Sequence, residues 1–176
     1  MVENFTFCRK SGKVIKENVF PKGDKKMSTR SNIGILNNDG TVTAIYCHWD
    51  GHIRINGKIL AKHYCNEEKV KKLISYGDLS SLHARVEPDK DTEHTADKPQ
   101  KDVCVFYHRD GGEKFEETRP KTYQSILDMY NSLKNSWIEY FYIYIFGDWY
   151  YVDLEMDEIL NLKHVKSEIA NDEGNR

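Results

Sequence analysis

Two stretches of this chain place a histidine two residues before an aspartate, just where an apolar run gives way to a glycine turn. The first is Ile45-Tyr46-Cys47-His48-Trp49-Asp50-Gly51, and the second is Val105-Phe106-Tyr107-His108-Arg109-Asp110-Gly111. Imidazole and carboxylate at the end of a strand could serve acid–base chemistry or metal-assisted phosphodiester cleavage. His48, Asp50, His108 and Asp110 are therefore the candidate catalytic residues if the protein is an enzyme. The plainer reading is that Asp precedes Gly because the pair stabilises turns. Neither pair is accompanied by a nucleophile–base motif or by a second carboxylate at a diagnostic spacing, so binding is expected ahead of catalysis.

Binding chemistry is better supplied. Arg30, Arg54, Arg85 and Arg109 can each grip phosphate bidentately, while Tyr46, Trp49 and Tyr107 offer flat faces for a base. Arg30, His48, Trp49, Arg54 and Arg109 are the candidate ligand-binding residues, for a small phosphorylated ligand of nucleotide type. No metal and no cofactor is expected. Cys47, His48, His63 and Cys65 are zinc-ligand types, but neighbours on a strand point to opposite faces, and neither pair has the short spacer that lets two ligands converge on one ion. Ser28 or Thr29 before a hairpin is like the start of an N-terminal nucleophile hydrolase, in which the free α-amine acts as base. Here 26 residues precede Met27, so that amine would require processing or initiation at Met27.

The elements that must position these groups follow from pattern. Apolar runs on either side of Asn38-Asp39-Gly40 predict a hairpin over 33–49, with Asp-Gly suited to the positive φ angles of a type I′ turn. A helix is expected from about Asn56 to Tyr64. A second follows, with Asn66 as N-cap, Glu67 and Glu68 in its first turn, Val70, Leu73 and Ile74 as its stripe and Gly77 at its end. Residues 78–82 read as a turn, 87–101 as an exposed loop, and 103–107 as a short strand. Pro120 can open a helix carrying Tyr123, Ile126, Leu127, Tyr130 and Leu133. A second hairpin is expected over 138–154 across Gly147-Asp148, followed by a helix from Glu155 to Ile169. On the first strand of that hairpin, Tyr140, Tyr142, Tyr144 and Phe146 share one face, and Phe141, Ile143 and Ile145 the other. The tyrosine face should be covered by a helix or by a partner subunit, the latter making a homo-oligomer.

This order of hairpin, helices, strand, helix, hairpin and helix lacks βαβ alternation. It predicts an α+β fold with a mainly antiparallel sheet, built from two hairpins plus a central strand and packed with three to four helices. Residues 1–26 read as an N-terminal extension with a short strand around 14–20, residues 27–170 as one domain, and residues 171–176 as a disordered tail.

With 26 basic against 28 acidic side chains, the net charge of −2 argues against broad capture of nucleic acid or of anionic membrane. It leaves room for a local phosphate pocket built from two or three cations. No apolar run has the length of a membrane span, the N-terminus lacks a signal-peptide core, and the four cysteines form no CxxC pair. A reducing, cytoplasmic setting is expected.

Met27-Ser28-Thr29-Arg30-Ser31-Asn32-Ile33-Gly34-Ile35, Asp39-Gly40-Thr41-Val42, Ile45 through Gly51, and Gly57-Lys58-Ile59-Leu60 with His63-Tyr64 together resemble a family of small phage-encoded proteins of uncharacterised activity. The likeness continues more loosely through Gly77-Asp78-Leu79-Ser80-Ser81-Leu82 and 107–113. Members usually begin at the equivalent of Met27 and often carry Tyr-Pro where this chain has His52-Ile53, so the sequence departs from the family pattern at these two places. The resemblance implies a phage or prophage origin and residence in the host cytoplasm. Small accessory phage proteins commonly act against host defence. One strategy is to sequester a nucleotide immune signal in a pocket of a compact oligomer; others are to hydrolyse such a signal or to bind a host defence protein directly.

Overall fold

The computed structural model describes residues 28–157 and 159–174. The extension 1–26, with the strand expected around 14–20, lies outside the described residues. Strand β1 (Ser31–Leu36) and strand β2 (Val42–Cys47) form the first hairpin, in antiparallel register from Ser31↔Cys47 to Leu36↔Val42. Its loop is longer than a two-residue turn. Asn37 donates to the Thr41 carbonyl, the Asp39 carboxylate accepts from both the amide and the hydroxyl of Thr41, and Gly40 alone takes a positive φ, +86°. The expected type I′ turn is therefore replaced by a five-residue loop closed by side chains.

A π-type turn (Ile53–Gly57) runs directly into α1 (Lys58–His63), and α2 (Glu67–Ser75) follows. The capping of α2 is as expected: the Asn66 side chain accepts from Lys69 N–H at 2.8 Å, and Gly77 takes φ +79° where the chain leaves the helix. A Cβ at Gly77 would lie 2.2 Å from the Thr118 carbonyl oxygen, so backbone packing demands glycine there as well. Next come β3 (Leu79–Ser81), β4 (Val105–Phe106), the short helices α3 (Tyr107–Gly111) and α4 (Phe115–Thr118), β5 (Lys121–Tyr123) and α5 (Ile126–Leu133). The second hairpin is β6 (Tyr140–Ile145) with β7 (Asp148–Asp153), and β8 (Lys163–His164) leads into α6 (Val165–Gly174).

The α+β class holds, but the sheet is mixed and larger than two hairpins plus a strand. Its order is β4-β3-β2-β1-β6-β7-β8, with β5 also pairing β2. The two hairpins join through a parallel pairing of β1 with β6, and β3 joins β2 in parallel at Cys47↔Leu79. Residues 78–82, expected as a turn, supply that strand. Pro120 does not open a helix; Lys121–Tyr123 pairs with Val42–Ala44, and α5 starts only after Ser125, whose hydroxyl accepts from Asp128 N–H. Completing the open edge of β2 outweighs the local helix signal. The tail also departs from expectation. Asp153 and Asp157 bind nearby backbone amides and hold 153–157 in turns, so the last helix begins at Val165 and runs through 171–174, where disorder was expected. There Lys58 pairs with Glu173 at 2.6 Å, and Arg54 pairs with Asp172.

Both faces of the sheet are covered. Ile33, Ile35, Ile45, Tyr142 and Tyr144 pack against Leu60, Val70, Leu73 and Val165 from α1, α2 and α6. Val42, Ala44, Phe141, Ile143 and Val152 pack against Met129, Tyr130 and Leu133 of α5. Tyr142 and Tyr144 of the tyrosine face are thus buried by the chain's own helices, while Phe146 on the same face is exposed. Tyr142 donates to the Gly51 carbonyl at 2.6 Å and Tyr144 to that of Cys65 at 3.2 Å, which satisfies both hydroxyls.

The second hairpin turns on Phe146-Gly147, with Ile145 paired to Asp148 and φ of +45° and +107° at the two turn residues. A two-residue turn with both φ angles positive favours Asn-Gly, and Phe146 is 83% exposed there. Phe146→Asn is expected to raise the melting temperature by roughly 2–4 °C, for a gain of about 1 kcal/mol from relieved strain. A fall on thermal denaturation would show that the phenyl ring packs usefully.

Candidate functional site

Glycine builds the meeting point of the first motif. Gly51 N–H donates to the Thr29 carbonyl at 2.8 Å, and a Cβ at Gly51 would lie 2.9 Å from backbone and side-chain atoms of residues 29–31. This contact draws the His48-Trp49-Asp50 loop against the entry to β1, with Asp50 taking φ +60° to make the bend. Arg30 lies close enough to the Tyr46 hydroxyl for its charge to oppose the rise that burial causes there, and that hydroxyl lies 2.7 Å from His48 Nδ1. Which of the two donates depends on the His48 tautomer. The His48 ring stands edge to face with Trp49, centroids 4.6 Å apart. Arg30, His48 and Trp49, three of the five expected ligand residues, are therefore neighbours.

Arg30 and Tyr46 line a cleft on the α5 side of the sheet. One part, about 480 Å³, is lined by Arg30, Tyr46, Ser136, Trp137 and Ile138. An adjoining part, about 530 Å³, shares Tyr46, Ser136 and Ile138 and adds Asn32, Asp78 and Lys121 among others. Each part falls in the size range of small-molecule sites. Asp78 completes the edge of β2 between β5 and β3, its Oδ1 accepting from Tyr46 N–H at 2.7 Å. Burial raises the Asp78 carboxyl above the ordinary aspartate range, opposed by the Tyr46 amide and by Lys121.

Arg54 and Arg109 do not join this cluster. Arg54 lies by α6 in its ion pair with Asp172. Arg109 is occupied as a structural clamp: it reaches the Asp110 carboxylate at 2.6 and 2.8 Å and the carbonyls of Val86 and Cys104 at 2.7 Å each. Its guanidinium also lies over the Phe106 and Tyr76 rings. The catalytic pairs do not form either. The Asp110 carboxylate accepts from Phe106 N–H at 2.7 Å, whereas His108 Nδ1 faces the Glu113 carbonyl at 2.9 Å. His48 Nδ1 is directed at the Tyr46 hydroxyl. The strand expected to run to residue 107 ends at Phe106, and α3 turns His108 and Asp110 apart.

The loop 87–101 is largely exposed, yet it is pinned by a buried His94. Gln100 N–H donates to His94 Nδ1 at 3.0 Å, which leaves Nε2–H for the Cys104 carbonyl and Asp110.

His48, His63 and His83 all lie below the ordinary histidine range, in each case chiefly through burial; Arg30 adds to the effect at His48 and Lys62 at His63. The unfolded chain takes up these protons at a higher pH than the fold does. Their contribution to stability is therefore complete above about pH 6.5 and is lost as pH falls through the lower folded values. The melting temperature is expected to decline steadily from pH 7 to pH 5. A flat profile over that interval would contradict these shifts.

Sequence reasoning missed Asn32, Asp78, Lys121, Ser136 and Trp137. Asn32 carried a signal, being a polar residue within the apolar run of β1. Trp137 and Lys121 carried none, because only the docking of 135–138 and of β5 against β2 brings them to the cleft. Among the described residues no group of three His, Cys, Asp or Glu side chains is placed to hold a metal ion. No described helix is long and apolar enough to cross a membrane. No protein-family model, curated protein or solved structure matches this chain.

Proposed function

We propose that the protein binds a phosphorylated, nucleotide-type small molecule in the cleft between α5 and the β1–β2 hairpin and holds it without turnover. The observation that carries this reading is that Arg30 and Tyr46 line one cleft, with His48 held at 2.7 Å from the Tyr46 hydroxyl. This places a cation beside a phenol, near an imidazole that burial keeps from protonating and two exposed tryptophans, Trp49 and Trp137. Arg30 and Lys121 supply charge for phosphate, and the indoles supply stacking surfaces for a base. The likeness of 27–64 to phage proteins supports a role as an accessory protein that counters host defence by sequestering a nucleotide signal in the host cytoplasm.

Arg30→Ala and Trp49→Ala are each expected to weaken nucleotide binding at least about tenfold, the scale of one lost charge-assisted contact or stacked ring. Both residues border solvent, so the melting temperature should stay within about 2 °C. Calorimetric titration beside thermal denaturation checks this. A large stability loss with unchanged affinity would make both residues structural.

A further inference from the structure

Asn32 sits in the middle of the sheet, on β1 between β2 and β6, opposite Tyr46 and Phe141. It is 6% exposed, its Oδ1 is buried and receives no hydrogen bond from the protein, and its side chain lines the 530 Å³ part of the cleft. Folded proteins rarely leave a buried acceptor unpaired, and this one stands on a central strand opposite Phe141. Asp78 lines the same part of the cleft and is tied to Asn32 through Tyr46: its Oδ1 binds the amide of Tyr46, the residue that pairs with Asn32 across the strands. Asn32, Asp78 and Lys121 thus line one part of the cleft, and the Asn32 carboxamide carries an oxygen with no protein partner.

Resting on the nucleotide reading above, we infer that this end of the cleft recognises an amino-bearing nucleobase, its exocyclic amine donating to Asn32 Oδ1 and to the Asp78 carboxylate. An amine has two N–H groups, one for each acceptor. An oxo base of the same size sets a carbonyl oxygen against the carboxylate. The Asn32 amide can rotate to suit either base, but an ionised Asp78 can only accept, so Asp78 sets the sign of the preference. Sites built to pair a ligand N–H discriminate strongly against analogues that lack it.

The test is titration of the full chain at pH 8 with 5′-AMP and 5′-IMP, which share ribose and phosphate and differ in amine against oxo. AMP is expected to bind at least about tenfold more tightly. Asn32→Leu, which removes the acceptor at similar volume, should bring AMP close to IMP. Asp78→Asn, which keeps an acceptor for Tyr46 N–H and adds a donor, should erase or invert the preference. Equal binding of the two nucleotides by the natural protein overturns the base assignment and leaves the phosphate reading standing. A preference for AMP that survives both substitutions overturns the assignment to these residues. Binding of neither nucleotide, or binding indifferent to Arg30→Ala, overturns the phosphate reading and this inference with it.

Discussion

Arg109→Ala is expected to destabilise the fold by about 3–5 kcal/mol, since removing one partner of a buried pair leaves the other charge uncompensated. Asp110 is 2% exposed and has Arg109, 19% exposed, as its cationic partner at 2.6 Å. The same guanidinium joins the Val86 carbonyl to that of Cys104 and thereby ties the 87–101 loop to β4. A melting-temperature drop of roughly 10 °C follows for a chain of this size. Arg109→Lys should recover only part of the loss, because an ammonium cannot reproduce the planar fork. Thermal denaturation decides. An unchanged melting temperature with lost nucleotide affinity would return Arg109 to the binding site expected from sequence.

Asn32→Leu is expected to act in the opposite direction on stability. Replacing an orphaned buried acceptor with an apolar side chain of similar size should gain about 1–2 kcal/mol, or roughly 3–6 °C in melting temperature. The same variant should lose affinity for amino-bearing nucleotides. A residue that costs stability and supports binding marks a site retained for function. If Asn32→Leu were less stable than the natural protein, the carboxamide would be a structural element of the sheet.

These two residues show what could be read from the sequence. The hairpin around Asn38-Asp39-Gly40, the capping of α2 by Asn66 and Gly77, and the alternation in Tyr140-Phe141-Tyr142-Ile143-Tyr144 are local patterns, and each reappears as an element. The parallel pairing of β1 with β6 joins segments more than a hundred residues apart, and no local pattern encodes it. The site divides in the same way. Arg30, His48 and Trp49 were legible because a loop beside the strand concentrates polar and aromatic groups, and Gly51 brings that loop to Arg30. Arg109 looked equivalent by residue type. It differs because the side chain of Asp110, the next residue, is enclosed and takes its guanidinium. His108 and Asp110 mimicked a dyad only while 103–107 was read as a strand, since the helix that starts at Tyr107 separates their directions.

The most direct test of the central claim is native mass spectrometry of the full chain, incubated with cyclic and linear nucleotides, followed by chromatography of the small molecules released on denaturation. The account predicts that a nucleotide is retained, is released chemically unchanged, and is not retained by Arg30→Ala. Conversion of the ligand to a new species, or failure of any nucleotide to be retained, would contradict it.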